Sequence, residues 1–576
     1  MSKRRATLVG IAGSFNAMSL SVYNLKAYAL LTDPALHADW DVHILQQKLI
    51  TPGSAAADQM LAQTVDLIVK SEPDLVGFSV YMWNVNVFKS IAETLRHALP
   101  RARIVMGGPE IASDYIREGK YDDFQADFLV YGEGEATFRD LLRHLSGTIP
   151  AADAIPGLAF RPHASSGFTL NPPRPLFTSL QVLPSPYLSG IVDDELLARP
   201  KLEANLETQR GCTLKCTYCI YHKDMPKITY NDVDRVIEEA KFVNHKHGVK
   251  KIRFVDANFT SDLPFAKQVM RGLIDAKIEA QLMFELIPGF IDEEIADLFQ
   301  EFNRMFEWND ITIGCGVQTI NYEILKSVRR GIKLDRFVRT FDLLSARNIF
   351  TKIDLIIGLP GEDFRSITAT LEYFLDQLRN SGSHLLCCHV MRGLPGTELI
   401  EQAKKHNMVF SSEREPHELI ESPILPRPLM LRCLRRTATV FRLVNHDGWT
   451  RRNFLKGSTT GETSLRDEFF AARDRIGSTN MELVDILIDK LMEHLSPKSW
   501  FVQPDFPYAE TWWWGNAQRE VKDSWLLDAL RSTTSRDLAV IKAKDEAQLA
   551  HLPALHAPRR LQVIDVAETD ACRGLH

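Results

Sequence analysis

Three cysteines lie close together in the segment QRGCTLKCTYCIYH, which spans residues 209–222. They are Cys212, Cys216 and Cys219, and the sequence offers no fourth cysteine nearby. Thiolates at this spacing are typical ligands of zinc or of an iron–sulfur cluster. A structural zinc ion takes four protein ligands, whereas a catalytic zinc ion takes three and keeps one position open. A four-iron cluster bound by three thiolates also leaves one iron open, so the spacing predicts a metal centre with an open position.

The cysteine segment follows the first of six apolar strand patterns that alternate with amphipathic helix patterns. This alternation predicts an α/β domain over residues 204–420, built as an incomplete TIM-type (β/α)6 barrel with its site at the carboxyl ends of the strands. A loop at that rim favours a reactive cluster over a structural zinc ion. We predict strands at 204–209, 250–256, 280–286, 311–317, 351–357 and 384–391.

The motif Cys-x3-Cys-x-aromatic-Cys in this loop, with Tyr218 as its aromatic residue, resembles the signature of the radical S-adenosylmethionine (SAM) superfamily. The resemblance covers roughly residues 200–410 and implies a [4Fe–4S] cluster whose open iron is chelated by SAM. An electron from a donor such as a flavodoxin or ferredoxin would then cleave SAM and yield a 5′-deoxyadenosyl radical. A structural zinc loop or a chance spacing is the alternative interpretation.

Polar residues and glycines end the later strands of the predicted barrel. Asp256 follows the second strand, Glu285 the third, Gln318 the fourth and Gly358 the fifth. The resemblance implies that these four residues, with Tyr218, line the SAM site, because glycine permits a close approach of the backbone to the adenine. A buried Glu or Gln is otherwise more often a structural hydrogen-bonding group. Cys387 and His389 share one face of the sixth strand, which we interpret as barrel interior and rim.

A second α/β pattern precedes the barrel, in residues 1–145. Its five β–α units predict a doubly wound, Rossmann-like parallel sheet whose ligand lies at the carboxyl ends of the strands. The glycine fingerprint of dinucleotide-binding domains and the Walker A sequence are both absent from the sequence. We predict strands at 6–13, 41–47, 74–81, 102–108 and 127–135, and ligand-side loops at 14–18, 81–84, 107–110 and 132–135.

The front domain, with MGGPEIAS and YGEGEATF after its fourth and fifth strands, resembles the cobalamin-binding domain of methyltransferase-like, cobalamin-dependent radical SAM enzymes. Methylthiotransferases are disfavoured because no cysteine precedes Cys212. His43, in DVHILQ, lies inside the second predicted strand, so the resemblance implies base-off cobalamin without a histidine on cobalt. Trp83 or Asn84 would lie nearest the lower corrin face, although Trp83 could equally pack the domain. The implied cobalamin contacts are Tyr81, Trp83, Asn84, Gly107, Gly108, Gly132, Glu133 and Gly134.

Two further segments complete the predicted organisation. Residues 146–203 are rich in proline and predict a surface linker with a small hairpin in GLAFRPHASSGFTLN. Residues 421–576 predict a mainly helical C-terminal domain that could close the cleft between the cofactors. An aromatic segment at 499–516, which contains TWWWGN, is expected to contribute to core packing and to line part of that cleft.

The resemblance implies a cobalamin-dependent C-methyltransferase. One SAM would methylate Co(I), and a radical from a second SAM would activate a carbon of a small-molecule or natural-product precursor, such as an antibiotic intermediate, which then takes the methyl group from methylcobalamin. A cyclase or ring-rearranging enzyme with the same cofactors is the alternative. A corrinoid or metal-binding sensor without turnover is a third hypothesis. No general base is evident, and no side chain is assigned a catalytic role.

The composition excludes several other classes of protein. The chain has 576 residues, of which 45% are hydrophobic and 25% charged, and its formal net charge is −6. These values do not indicate a disordered chain or a basic nucleic-acid-binding protein. No apolar segment reaches the roughly 18 residues of a membrane span. The eight cysteines are not spaced like a disulfide framework, so we expect a cytoplasmic enzyme with neither a nucleic-acid nor a membrane partner.

Overall fold

The architecture comes from a computed structural model, which describes residues 3–12, 16–48, 55–163, 166–221, 225, 227–378, 384–411, 417–452, 465–494 and 523–550. The aromatic segment at 499–516 and residues 14–15 of the predicted loop at 14–18 lie outside the described residues. Within the part of the chain that the structure describes, no helix combines the length and the apolar character needed to cross a membrane.

The first sheet contains five parallel strands in the spatial order β2-β1-β3-β4-β5. This is the flavodoxin-like order of doubly wound domains, and it confirms the predicted fold of the front domain. Strands β1, β3, β4 and β5 are largely buried because helices cover the sheet on either side, whereas the edge strand β2 is partly exposed. The strands are β1 (Arg4–Ile11), β2 (Trp40–Gln47), β3 (Leu75–Ser79), β4 (Arg103–Gly107) and β5 (Phe128–Val130), and the helices are α1 (Leu20–Thr32), α2 (Leu36–Asp39), α3 (Ala55–Lys70), α4 (Val85–Ala98), α5 (Ser113–Arg117) and α6 (Glu135–Leu145).

A short hairpin in the proline-rich segment extends this sheet. Its strands β6 (Leu158–Phe160) and β7 (Thr169–Leu170) pair with each other antiparallel, and β6 also pairs antiparallel with β5. The hairpin lies in the segment where the sequence predicts one. Helix α7 (Asp194–Leu197) then leads the chain to the second sheet.

The second sheet has six parallel strands whose spatial order follows the order in the chain, from β8 to β15. It is an open barrel, as predicted. A two-stranded ladder between β9 (Gln209–Arg210) and β10 (Thr229–Tyr230) closes the base of the cysteine loop. The barrel strands are β8 (Glu203–Leu206), β11 (Lys251–Phe254), β12 (Gln281–Leu286), β13 (Asp310–Gln318), β14 (Phe350–Ile357) and β15 (His384–Val390), and the helices are α8 (Val233–Lys241), α9 (Leu263–Asp275), α10 (Glu293–Met305), α11 (Tyr322–Ser327), α12 (Leu334–Ser345), α13 (Phe364–Gln377) and α14 (Glu398–Lys405).

Aspartate side chains begin four of the barrel helices. Asp232, Asp262, Asp292 and Asp363 each accept a hydrogen bond from a backbone N–H in the first turn of the helix that follows. Such a cap contributes about 1 kcal/mol, so the helices start reproducibly just beyond the strand ends where the site lies. Along β12 the exposure alternates, with the outer face buried under helices and the inner face half-buried. The barrel interior is therefore accessible.

Helices of the C-terminal region cover the free edge of the barrel sheet. Asn445 accepts a hydrogen bond from Leu386 N and donates one to Leu386 O, both at 2.7 Å, and so satisfies backbone groups of the edge strand β15. Behind it, Arg432 and Arg436 form buried ion pairs with Asp485. The elements are β16 (Val409–Phe410), β17 (Leu419–Glu421), α15 (Arg427–Arg452), α16 (Leu465–Ile476), α17 (Asn480–His494), α18 (Asp523–Ser532) and α19 (Ser535–Ala550).

The segment after β1 joins the two sheets. Met18 N donates to Glu203 O at 3.3 Å, and Glu203 N donates to Asn16 O at 3.0 Å, which adds a short parallel bridge to β8. Asn205 donates its side-chain N–H to Met18 O at 2.8 Å. The carboxyl edge of the front sheet is thereby held against the first barrel strand.

Candidate functional site

The cysteine loop runs from β9 to β10 and is held at several points. Gly211 has φ +99°, and a Cβ there would lie 3.0 Å from Lys227 O, so glycine is required where the loop begins. Thr217 N donates to Val328 O at 3.1 Å, and Leu399 N donates to Thr217 O at 2.9 Å. Backbone hydrogen bonds from two other barrel loops thus place the three thiols before any metal binds.

The three thiols lie close enough to interact electrostatically. Burial raises the pKa of the Cys212 thiol, and it raises the pKa of Cys219 to about 11. Free thiols here would stay protonated and unreactive, whereas coordination to a metal removes the proton outright. Among the described residues, no group of three or more His, Cys, Asp or Glu side chains could hold a single metal ion. A cluster binds each thiolate to a different iron, so it does not require the sulfurs to converge on one point.

Two buried polar groups beside Cys216 support a cluster at this loop. The guanidinium NH1 of Arg330 donates to Cys216 Sγ at 3.8 Å, and its NH2 donates to Gly316 O. Within the described chain, neither Arg330 Nε nor the hydroxyl of Tyr218 has a hydrogen-bonding partner, although both atoms are buried. Sulfide and thiolate sulfurs of a cluster are acceptors for such donors. The residues present therefore fit a [4Fe–4S] cluster.

Arg330 was not predicted, because nothing in its sequence marks it. It lies in the link between α11 and α12, twelve residues beyond the end of β13. The fold returns this link to the cysteine loop through the hydrogen bond between Thr217 and Val328.

Glu285 and Gln318 lie on the barrel interior, as the prediction of SAM contacts requires. Glu285 faces Gly314 across β12 and β13, and a Cβ at residue 314 would lie 2.5 Å from the Glu285 Cδ. Burial raises the pKa of Glu285, while the nearby Lys352 lowers it. Gln318 has φ +72° at a bulge, and its amide folds over Gly316. Glycines at 314 and 316 leave room for these two side chains.

Asp256 and Gly358 have structural partners. Asp256 is 1% exposed and accepts hydrogen bonds from Thr208 N at 2.9 Å, Thr208 Oγ1 at 2.7 Å and Gln209 N at 3.0 Å. Its carboxylate ties β11 to the segment before the cysteine loop, and burial raises its pKa to about 7. Gly358 has φ +88° and donates its N–H to Glu362 Oε2 at 2.9 Å. These placements do not support the predicted SAM contact of Asp256, and Gly358 serves a turn.

A polar triad that the sequence did not reveal lies on the inner face of β14 and β15. Asp354 accepts a hydrogen bond from Lys352 Nζ at 2.8 Å through Oδ2, and Oδ1 lies 3.0 Å from His389 Nε2. Although burial raises the pKa of Asp354, the His389 hydrogen bond and the Lys352 charge hold it below the usual range. The His389 side chain is half-exposed, and Cys387 is close to Asp354 on the same face, as the alternation predicted.

In the loop after β3, the rings of Tyr81 and Trp83 stack on each other and the side-chain amide of Asn84 is buried. Tyr81 and Trp83 stack with ring centroids 4.4 Å apart, and Trp83 Nε1 donates to Ile11 O at 3.1 Å. Asn84 is 1% exposed and donates to Ile11 O and Ser79 O, both at 3.1 Å. Asn84 therefore anchors the loop, which argues against it as the nearest neighbour of the corrin and leaves the Tyr81–Trp83 pair at the surface of the loop.

The glycine loops after β4 and β5 have distinct roles. A Cβ at Gly108, where φ is +123°, would lie 2.5 Å from Val80 O, and one at Gly107 would lie 3.0 Å from Val130 Cβ, so both glycines permit close strand packing. At Gly132, where φ is +74°, a Cβ would meet no atom within 4 Å. Gly134 precedes α6. The open space beside Gly132, at the edge where doubly wound sheets bind ligands, suits a large cofactor.

Glu133 contacts the barrel instead of standing free for a cofactor. Its Oε1 pairs with Arg210 NH1 at 3.0 Å, and its Oε2 accepts a hydrogen bond from Phe177 N at 2.8 Å. Arg210 also pairs with Glu135 at 2.7 Å and with Glu207 at 2.8 Å. Glu133 therefore takes part in a buried ion-pair network that joins the YGEGE loop to the strand before Cys212, and its contact with a cofactor stays a prediction.

His43 lies in β2, at the edge of the front sheet, where its Nε2 is 2.8 Å from Asp41 Oδ2. It is thus a strand residue, as predicted from its place inside the second apolar segment.

Comparison with known families places this site in context. The family model of the radical SAM superfamily matches residues 206–374, which include the three cysteines, and the model of the B12 binding domain matches residues 29–142. The chain thus combines a radical SAM domain with a B12 binding domain. These two domains confirm the predicted cofactors, which are a [4Fe–4S] cluster, SAM and cobalamin.

Two curated methyltransferases are similar to this chain. One is the 2-(S-pantetheinyl)-carbapenam-3-carboxylate methyltransferase of Streptantibioticus cattleyicolor, 28% identical over 307 residues, which are 51% of this chain and 44% of the relative. The other is the cobalamin-dependent radical SAM methyltransferase TokK of Streptomyces tokunonensis, 27% identical over 305 residues, again with 51% and 44% coverage. The alignments thus span less than half the length of these relatives.

A solved structure shows that the fold extends beyond the aligned sequence. The cobalamin-dependent SAM radical enzyme OxsB, with aqua-cobalamin bound, superposes with a TM-score of 0.61 at 14% identity over 94% of this chain and 84% of OxsB. This likeness shows a shared architecture that includes the helical C-terminal region.

Proposed function

We propose that this protein is a cobalamin-dependent radical SAM C-methyltransferase that transfers a methyl group from SAM to a carbon of a small molecule. The observation that carries the proposal is that loops at the carboxyl edges of the two sheets, where we expect the cofactors, contact each other directly. Arg392, just beyond β15, donates to Met82 Sδ at 3.5 Å in the loop after β3. His417 Nε2 lies 2.7 Å from Glu110 Oε1, in the loop after β4.

The inner face of the barrel supplies groups that can orient a substrate. Glu285, Lys352, Asp354 and His389 lie on the inner face of three strands, and His389 carries a half-exposed imidazole. Arg392, three residues after His389, forms an ion pair with Glu418 at 2.9 Å as it reaches towards Met82. A substrate between the two domains would therefore contact His389 before it reached the deeper carboxylates.

When bound, SAM with the cluster supplies the radical chemistry, and cobalamin supplies the methyl group. The residues of this chain must hold the two cofactors at a constant separation and exclude water from the reacting carbon. The buried network of Arg210 with three glutamates, Glu133, Glu135 and Glu207, supports a constant separation. It joins β9, which leads into the cysteine loop, to the front domain. The two similar methyltransferases support methyl transfer, and one of them is named for a carbapenam carboxylate, which is a small molecule. An electron donor such as a flavodoxin or ferredoxin is part of the proposal.

The experiment uses the full chain, purified anaerobically and loaded with iron, sulfide and cobalamin. With excess reductant and SAM carrying a deuterated methyl group, we expect S-adenosylhomocysteine in an amount equal to the bound cobalamin, and the label on the corrinoid by mass spectrometry. A cyclase or rearranging enzyme would yield 5′-deoxyadenosine without labelled corrinoid, and a sensor would yield neither product. The triple variant C212A/C216A/C219A is the control for cluster-dependent formation of 5′-deoxyadenosine.

A further inference from the structure

Arg392 reaches from the barrel to the front domain with hydrogen-bond donors that the described residues do not satisfy. It lies two residues beyond β15, and NH1 of its guanidinium donates to Met82 Sδ at 3.5 Å. A thioether sulfur is only a weak acceptor, and Arg392 Nε is buried without a hydrogen-bonding partner among the described residues. Because a buried donor without an acceptor is unfavourable, the surroundings of Arg392 indicate a further group that accepts hydrogen bonds.

The backbone around Arg392 is held in place, so its guanidinium has a defined position. Residues 417–419 are joined to residues 391–393 by two backbone hydrogen bonds of 2.8 Å. Glu418, in the middle of the first of these segments, pairs with NH2 of Arg392 at 2.9 Å. The charge of Arg392 is therefore compensated within the protein, and the further acceptor for its N–H groups need not be charged.

The barrel contacts both front-domain loops at which we predict cobalamin. In the loop after β3, Arg392 meets Met82, whose neighbours on either side form the stacked aromatic pair of that loop. In the loop after β4, Glu110 Oε1 lies 2.7 Å from His417 Nε2. Arg392 therefore lies on the barrel side of the predicted cobalamin site.

Cobalamin carries hydrogen-bond acceptors of two kinds. The rim of its corrin ring bears amide side chains with carbonyl oxygens, and its nucleotide tail bears a phosphate. A phosphate would add a second negative charge beside an arginine that Glu418 already compensates, whereas a neutral amide adds none. The ion pair with Glu418 therefore favours a corrin amide over the phosphate.

We propose that Arg392 donates a hydrogen bond to a side-chain amide of the corrin ring, so that the barrel takes part in binding cobalamin. The contact fixes the corrin relative to β15, the strand that carries the half-exposed His389. It concerns cofactor binding alone and holds whichever reaction the cofactors perform. The alternative is a role limited to docking the two domains through Met82 and Glu418.

The first test measures the dissociation constant of cobalamin for the full-length protein by anaerobic equilibrium dialysis. Arg392→Gln removes the charge and the fork of donors, and Arg392→Lys keeps a charge without the fork. Arg329→Gln is the matched control, because Arg329 is an exposed arginine of the barrel that pairs with Glu398. We expect the dissociation constant to rise about tenfold or more in R392Q, less in R392K, and not at all in R329Q. A wild-type value in R392Q would overturn the proposal.

A second test separates a corrin contact from domain docking and from a phosphate contact. Monocarboxylic acids of cobalamin, each with one side-chain amide hydrolysed to a carboxylate, are compared with cobalamin in the wild-type protein and in R392Q. A carboxylate on the contacted side chain gains a charge-assisted hydrogen bond only where Arg392 is present. We expect one acid of the series to lose roughly threefold more affinity in R392Q than cobalamin does. Equal losses for cobalamin and every acid would reject the corrin contact.

A third measurement needs only the wild-type protein and does not depend on any variant folding. Phenylglyoxal modifies accessible arginine side chains, and peptide mass spectrometry identifies the modified positions. The Arg392 side chain is 32% exposed, so we expect it to react in the cobalamin-free protein and to be protected once cobalamin is bound. Arg329, whose side chain is 52% exposed, should react equally in both forms. An equal rate at Arg392 with and without cobalamin would contradict the proposed contact.

Discussion

Replacing Gly314 with alanine tests whether Glu285 binds SAM without altering Glu285 itself. A Cβ at residue 314 would lie 2.5 Å from the Glu285 Cδ and 2.8 Å from its Oε1, far inside the 3.4 Å at which ordinary contact begins. The carboxylate is the far end of a flexible side chain, so it can rotate away while the backbones of β12 and β13 stay paired. We therefore expect the substitution to displace the carboxylate and leave the barrel folded.

The size of the effect follows from what Glu285 is predicted to do. A hydrogen bond to a charged group contributes about 1.5–3 kcal/mol, which corresponds to a roughly 10- to 150-fold change in a dissociation constant. Steric crowding of a core position costs about 1–3 kcal/mol of stability, and the mobility of the Glu285 side chain places Gly314→Ala at the lower end. SAM binding should thus weaken much more than folding.

Equilibrium dialysis of radiolabelled SAM against the cluster-loaded protein measures the dissociation constant, and circular dichroism gives the melting temperature. Glu285→Gln should weaken SAM binding to a similar extent, since it removes the charge in place. Gly331→Ala is the matched control, because a Cβ there would meet no atom within 4 Å. Wild-type affinity in both G314A and E285Q, with the melting temperature retained, would refute the assignment of Glu285 to SAM.

Three further predictions follow from buried polar groups elsewhere in the fold. Burial raises the pKa of Glu362 from 4.5 to about 7, so between these pH values the native state keeps a proton that the unfolded chain loses. The free energy of unfolding should therefore fall as the pH rises from 4.5 to 7, by up to about 1.4 kcal/mol per pH unit. Glu362→Gln should remove this dependence, which denaturant unfolding at a series of pH values measures. Arg210→Gln leaves three carboxylates without their cation and should lower the free energy of unfolding by about 3–5 kcal/mol, seen as a lower melting temperature. Arg210→Lys keeps the charge and should retain part of this stability. An unchanged melting temperature in R210Q would contradict the inter-domain role. Asn445→Ala leaves Leu386 N and O unsatisfied and should destabilise the edge strand by about 1–3 kcal/mol, detected as faster hydrogen exchange at Leu386 than in the wild type.

The sequence predicts both sheets because their strands have distinct apolar patterns. In the front domain β1 and β3 are buried on both faces, so each appears as a continuous apolar segment in the sequence. The three cysteines can also be recognised from the sequence, since their spacing within one loop does not depend on tertiary structure. The position of Glu285 and Gln318 on the barrel interior could be predicted because each residue ends a barrel strand.

What the sequence does not predict depends on contacts between distant segments. A carboxylate at a strand end has the same local sequence whether it faces a ligand or caps a neighbouring loop. Asp256 has structural partners because the backbone N–H groups of Thr208 and Gln209, nearly fifty residues earlier in the chain, donate hydrogen bonds to its carboxylate. Glu133 became an inter-domain ion pair because the fold brings Arg210 next to the YGEGE loop. The Asp354–His389 contact is likewise created by strand register, since residues 354 and 387 are paired across β14 and β15.

Arg210 and Arg330 show how the same residue type serves two tasks around one loop. Arg210 precedes Cys212 by two residues and pairs with three carboxylates from the protein, so its charge is already compensated and its role is to hold the two domains together. Arg330 comes to the same loop from the link after β13, and among the described residues it donates to Cys216 Sγ and to Gly316 O. Its Nε is buried without a hydrogen-bonding partner in the described part of the chain. Because the sulfurs of a cluster accept hydrogen bonds, the donors of Arg330 fit a bound cluster, whereas those of Arg210 are satisfied by the protein itself.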